Sequence, residues 1–205
     1  MDRATKILAL SFLVIAFTSG FLFLYKGLQH KFIEPEHATI LPSAMDLPSF
    51  SLTDHNSLPF TRDELLGSWH LVFFGFTNCP DICPATLSQL AIARSQLAEK
   101  GYKTPKILLI SVDPERDTPD KLKNYLSYFD SSISGLTGSP EKIFKLTKAL
   151  GIFFSKSYDQ NGDYSVDHSA AILLIGPDAK WHALFQAPHK IEHFVTDIPR
   201  LTSKG

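Results

Sequence analysis

The sequence predicts an α/β domain carried behind one N-terminal transmembrane helix. Three observations predict it. An uncharged run extends from Ile7 to Tyr25, strand-length apolar runs alternate with helix-period segments from residue 69 onward, and two cysteines stand where the first such strand gives way to the first such helix.

The uncharged run, ILALSFLVIAFTSGFLFLY, would rise roughly 28 Å as a helix, close to the hydrocarbon thickness of a bilayer. A cleaved signal peptide is the rival. Thr18-Ser19-Gly20 offers small residues, but Phe21 to Tyr25 continue the apolar run past that point, which favours a retained anchor. Arg3 and Lys6 precede the span and Lys26 and Lys31 follow it, so the positive charges do not orient it. The expected organisation is a flank over 1–6, an anchor over 7–25, a tether over 26–45 containing Pro35 and Pro42, and a domain over 46–205.

Residues 47–60, LPSFSLTDHNSLPF, alternate and are punctuated by Asn and Pro like a short hairpin, and Thr61 to Glu64 turn into the main body. Trp69 to Thr77 is almost wholly apolar, as a central strand buried on both faces would be. Leu87, Leu90, Ala91 and Leu97 then follow helical spacing from Pro84 to Lys100, and Gly101 stops the helix. Lys106 to Asp113 is a second buried strand. Thr118-Pro119 and Ser139-Pro140 each pair an N-cap residue with a first-turn proline, opening helices that run to about Phe129 and to Gly151. Asn161-Gly162 marks a tight turn, Ser169 to Gly176 and Trp181 to Gln186 are strands joined by a turn at 177–180, and Lys190 to about Leu201 is a last helix. The order β-α-β-α, further elements, then β-β-α is that of a thioredoxin-like fold with an insertion.

Composition excludes little. A net charge of −1 with no basic stripe or acidic tail gives no reason to expect nucleic acid, and 16 phenylalanines point to a well-filled core.

The chemistry concentrates in FGFTNCPDICP, which holds the only two cysteines of the chain, Cys79 and Cys83. If Pro84 occupies the first helical position, Cys83 falls at or near the N-cap, where free N–H groups and the helix dipole favour a thiolate. Two thiols four positions apart can close a disulfide or share a metal. A structural zinc site would want a second cysteine pair. Peroxide reduction would want helpers around one activated cysteine, and beyond Thr77 none can be assigned. Two thiolates suit Cu(I), and an imidazole would complete the shell and suit Cu(II) as well.

Eight histidines are candidates. His30 and His37 sit in the tether, His70 begins a strand, His182 lies within one, and His55 belongs to the hairpin. His189 and His193 belong to the last helix. All of these read as surface residues. His168, in SVDHSAAILLIG directly before a buried strand, is placed where this fold brings a loop up to the cysteine helix. Asp167 beside it would orient the ring or merely cap a turn. In the loop after the second strand, Glu115 and Asp117 read as a solvated turn, whereas Asp113 ends a strand on the cysteine side.

FTNCPDICP (76–84), SVDPERDTP (111–119) and VDHS (166–169), in this order behind one span, resemble the Sco/SenC family. The resemblance covers roughly 45–200 and the anchor, with Asn78 where His is more usual. It implies a thioredoxin-like domain with copper ligands at Cys79, Cys83 and His168. It also implies a metallochaperone, rather than an enzyme, that serves the copper-site subunit of cytochrome c oxidase, with an upstream copper donor and a thiol reductant as further partners. The implied location is the periplasmic side of the bacterial inner membrane, since no Arg-rich leader precedes the span. A thiol-disulfide oxidoreductase using Cys79 and Cys83 as a redox pair is the alternative, and a copper or redox sensor is a further one.

Overall fold

A computed structural model describes residues 2–3, 11–21 and 34–203. The chain divides into two units, residues 1–34 and 35–205. In the first, residues 11–21 are helical and Phe12, Leu13, Val14, Ile15, Phe17 and Phe21 are exposed around the helix. Residues 7–10 and 22–25 of the expected span lie outside the described residues. Among those described, no helix is long and apolar enough to cross a membrane.

The second unit is built on β4 (His70–Gly75), all six residues of which are buried. The apolar run that predicted a central strand sits at the centre of an eight-stranded sheet whose strands run, in order, 38–46, 180–185, 172–175, 70–75, 106–111, 133–137, 51–54 and 59–61. β5 (Lys106–Ser111) pairs in parallel with β4, and β6 (Ile133–Thr137) in parallel with β5. β9 (Ile172–Ile175) runs antiparallel to β4, and β10 (Lys180–Phe185) antiparallel to β9. With α1 (Ile82–Glu99) after β4 and α4 (Ile191–Thr202) after β10, these elements give the expected thioredoxin-like order. The hairpin β2 (Ser51–Asp54) and β3 (Pro59–Thr61) joins the sheet beside β6, followed by a 3-10 turn at Arg62–Leu65 whose Thr61 and Glu64 form a reciprocal cap.

Helices cover both faces. Leu146 and Leu150, in and just after α3 (Pro140–Ala149), line a small cavity with Val72, Leu108 and Leu136. Because side chains alternate along a strand, Phe73, Leu109 and Gly135 face the other way. There Gly75 lies beside both Leu109 and Cys83 of α1, and Gly135 lies beside Leu122 and Leu126 of α2 (Pro119–Leu126). Thr118 and Ser139 cap α2 and α3 through their side chains with proline in the first turn, as their sequences predict.

Two features depart from the sequence reading. The segment assigned to the tether contributes β1 (Ala38–Asp46), an exposed edge strand that pairs with β10 and slips register between Ile40 and Met45, around Pro42. A proline and a broken register are what hide an edge strand from a periodicity search. Second, β7 (Phe154–Tyr158) and β8 (Tyr164–His168) form a separate two-stranded ribbon closed by the Asn161-Gly162 turn. It inserts between α3 and β9 and carries His168 at its last position.

Candidate metal centre

The strand β4 ends at Gly75, and the chain continues through Phe76, Thr77 and Asn78 to Cys79 before α1 begins. The helix starts earlier than Pro84 suggested. Asp81 is the N-cap, so Cys83 lies inside the first turn and Pro84 is its third residue. Asp81 makes no side-chain cap. Instead the Cys83 N–H points at Cys79 Sγ, 3.4 Å away, so the first sulfur takes the place of a capping acceptor for a helix N–H that has no intrahelical partner.

Cys83 is fully buried and Cys79 nearly so, and both are free thiols. Burial pushes the Cys83 thiol well up, and the neighbouring Cys79 adds to the effect. The expectation of a helix-stabilised thiolate is therefore corrected: at Cys83, loss of hydration outweighs the helix N-terminus. A bound cation would reverse that balance by displacing the proton.

His168 arrives from the other side. Its Nε2 is 3.4 Å from Cys83 Sγ, and its Nδ1 is 3.0 Å from the carbonyl oxygen of Ser169. Donation by Nδ1–H to that carbonyl leaves Nε2 as the unprotonated nitrogen facing the sulfur. Burial holds the imidazole below its ordinary pKa, which keeps the lone pair available. Phe73 and Phe76 meet the ring edge-on, with centroids 5.9 and 5.8 Å away, and fix its plane. Cys79, Cys83 and His168 thus offer three donor atoms within 4.8 Å of one another, the one such His/Cys/Asp/Glu group of three or more among the described residues. Two thiols and one imidazole nitrogen, drawn from a loop, a helix and a ribbon, make a soft three-donor set.

Gly75 makes room for it. A Cβ there would stand 2.9 Å from Cys83 Sγ and 2.8 Å from the Phe73 ring. Sequence reasoning passed over this residue, whose only signal is a glycine closing an otherwise bulky strand.

The remaining candidates separate clearly. Asp167 is exposed and accepts from the Ser157 hydroxyl at 3.2 Å, so it does not orient His168. His70 and His189 are buried rather than on the surface. His70 Nδ1 bonds the Ser68 carbonyl at 3.0 Å, and His189 Nε2 bonds the Ala170 carbonyl at 2.6 Å, in the segment that follows His168. Asp117 is not a solvated turn residue. It is fully buried and accepts from the Thr77 N–H (3.0 Å), the Thr77 hydroxyl (2.5 Å) and the Ser111 hydroxyl (2.7 Å), holding the cysteine loop to the end of β5. Asp113 is equally buried and is paired with Arg116 and the Tyr164 hydroxyl. Glu115 is exposed, as expected, and pairs with Lys156.

The chain as a whole resembles known proteins. The SCO1/SenC family model matches residues 42–203. A Stutzerimonas stutzeri protein whose name gives copper binding is 40% identical over 169 residues, which is 82% of this chain and 83% of that protein. Protein SCO2, mitochondrial, of Saccharomyces cerevisiae is 44% identical over 134 residues, 64% of this chain but only 44% of the yeast protein. Among solved structures, Arabidopsis thaliana ScoI with copper bound superposes with a TM-score of 0.74 at 32% identity, covering 77% of this chain and 98% of that one. The chain belongs to the SCO1/SenC family.

Proposed function

We propose that this protein is a copper metallochaperone. It binds copper through Cys79 Sγ, Cys83 Sγ and His168 Nε2 and delivers it to the dinuclear copper site of cytochrome c oxidase. The observation that carries the reading is the convergence of these three donors within 4.8 Å. Copper is cargo in this account. Two thiolates suit Cu(I), and the imidazole extends the site to Cu(II). Cys83 is fully buried, whereas Cys79 lies in a loop flanked by exposed Asn78 and Pro80 and His168 is half-buried, so an incoming acceptor would approach from the side of Cys79 and His168. An acceptor with sulfur and nitrogen donors could take the metal one ligand at a time without releasing it to water. Loading requires both cysteines reduced, which ties occupancy to the thiol redox state of the compartment.

The same proposal includes a single N-terminal anchor in a bacterial inner membrane, with the domain facing the periplasm. Its support is the uncharged run over 7–25 and the apolar side chains exposed around residues 11–21.

A second reading, reduction of the oxidase cysteines by Cys79 and Cys83, has the adjacency of the two free thiols in its favour. Burial of Cys83 counts against that thiol as the attacking nucleophile. The two readings part at His168. A Cu(I) competition titration of the reduced protein against a chromophoric chelator should find one tightly held copper per chain. His168→Ala should weaken it by at least about tenfold while leaving the dithiol/disulfide couple measurable. Copper held as tightly by the variant as by wild type would remove His168 from the ligand set. Weak copper binding by wild type itself would move the protein to thiol reduction.

A further inference from the structure

The loop from Val112 to Thr118 touches both halves of the proposed site. On the cysteine side, Asp117 grips Thr77, two residues before Cys79, through the two bonds described above. On the histidine side the ribbon β7–β8 stands outside the main sheet, and a lone two-stranded ribbon is marginal in water. Its attachment to that loop is concentrated on Tyr164 and Lys156. Arg116 Nη1 donates to the Tyr164 carbonyl at 2.9 Å, and the guanidinium lies over the Tyr164 ring, 3.8 Å from its centroid. Arg116 Nε also pairs with Asp113, whose other oxygen accepts from the Tyr164 hydroxyl at 2.7 Å. Lys156 pairs with Glu115 at 2.6 Å and stands 4.4 Å from the same ring. Arg116 further reaches to 6.0 Å from the Phe76 ring, which itself abuts His168.

Each part has a chemical reason. A fully buried carboxylate such as Asp113 is tolerated only when paired and hydrogen-bonded, and Arg116 and Tyr164 supply both. The planar guanidinium binds a carboxylate at one edge, a carbonyl at another and an aromatic face on its plane at once, which an ammonium does not. One side chain thereby fixes the ribbon's first β8 residue, Tyr164, four positions before His168 at its last.

We infer that Arg116, with Asp113 and Tyr164, is a brace that positions His168 against the cysteine pair, so that the brace governs the imidazole's share of metal binding and not the thiolates' share. The inference rests on the ligand set proposed above. Its consequence is selectivity between oxidation states. Cu(I) draws most of its affinity from the two thiolates, so it loses far less from a displaced imidazole than from a deleted one, whereas Cu(II) depends on a well-placed nitrogen donor. Breaking the brace should therefore cost Cu(II) far more than Cu(I).

The test uses the full-length protein as wild type, Arg116→Gln, Tyr164→Phe and His168→Ala. Tyr164→Phe keeps the ring under Arg116 and removes only the hydroxyl, so it remains informative should Arg116→Gln fold poorly. Cu(I) and Cu(II) affinities are measured by competition, and the Cu(II) forms are examined by electron paramagnetic resonance for coupling to one imidazole nitrogen. The expected result is a Cu(II) affinity lowered at least about tenfold in Arg116→Gln and about threefold in Tyr164→Phe, with weakened nitrogen coupling and Cu(I) affinity within about threefold of wild type. Wild-type Cu(II) affinity and coupling in both brace variants, with Cu(II) lost in His168→Ala, would overturn the brace and leave the ligand set standing. Equal losses for Cu(I) and Cu(II) would overturn it in favour of a general role in folding. Retention of both ions by His168→Ala would overturn the ligand set, and the brace with it.

Discussion

Gly75→Ala is the substitution whose consequence can be worked most closely from the structure. The added methyl would lie 2.9 Å from Cys83 Sγ, 2.8 Å from Phe73 Cε1 and 3.2 Å from Leu109 Cδ1. Ordinary carbon contacts fall at about 3.5–4.0 Å, so the Cys83 sulfur or the strand must give by roughly half an ångström or more. None of the neighbours can retreat easily, because Phe73, Cys83 and Leu109 are all fully buried. Overpacking of this kind costs about 1–3 kcal/mol, which for a unit of this size lowers the unfolding midpoint by roughly 2–12 °C. The cost to the metal should be larger in proportion, since metal–ligand distances tolerate only about 0.2 Å. Thermal unfolding of the apo-protein and Cu(I) competition are the assays. A modest loss of stability with at least about tenfold weaker copper binding is expected. Wild-type copper affinity in Gly75→Ala would mean that the Cys83 sulfur is not confined as described.

Other expectations concern the scaffold. Burial, aided by the neighbouring Lys106 charge, lowers the His70 pKa to about 4 from an ordinary 6.5, so between those values the unfolded chain binds the extra proton. His70 therefore contributes stability that is complete above pH 6.5 and lost as pH falls toward 4, about 2 kcal/mol of it by pH 5. Urea unfolding at pH 7.5 and 5.0 should show that dependence reduced in His70→Gln, and an unchanged slope would refute the assignment. Asp197, fully buried in α4, accepts the N–H groups of Glu36, His37 and Ala38 at 2.9, 2.7 and 2.8 Å, fastening the chain where it enters β1. Asp197→Ala should cost about 3 kcal/mol and make those three amides exchange rapidly with solvent, and protected amides in the variant would count against it. Asp117→Ala leaves the Thr77 N–H without its acceptor, at a cost of about 1–3 kcal/mol, and should loosen the Cys79 loop enough to weaken Cu(I) binding as well. Unaltered copper affinity in that variant would confine Asp117 to stability.

The parts of the fold that were legible in the sequence are those whose signal is local. β4 announced itself because a strand buried on both faces is a continuous apolar run, and α2 and α3 because Thr118-Pro119 and Ser139-Pro140 place a cap and a fixed φ side by side. β1, β6 and the ribbon were not. β1 is an interrupted edge strand, β6 is short and carries Gly135 where α2 presses close, and the ribbon alternates polar residues with few apolar ones.

At the centre itself, Cys79 and Cys83 stood out by scarcity, and His168 by its place before a buried strand. Of the two buried acids, Asp117 reads in the sequence as a solvated turn residue and Asp113 stays open there, because their partners are distant in sequence. Asp117 finds Thr77 forty positions away, and Asp113 finds Tyr164 fifty-one positions away, so no local pattern distinguishes them from a solvated turn. The placement of Cys83 at a helix start was right to within a turn, yet the inference to a thiolate failed because burial is a property of the whole fold.

The central claim is that the two cysteines and His168 hold one copper together. X-ray absorption at the copper edge of the Cu(I)-loaded protein tests it most directly, with His168→Ala alongside. Two sulfur scatterers and one imidazole nitrogen per copper in wild type, reduced to sulfur alone in the variant, is the predicted result. A wild-type shell without the imidazole, or one that His168→Ala leaves unchanged, would contradict it.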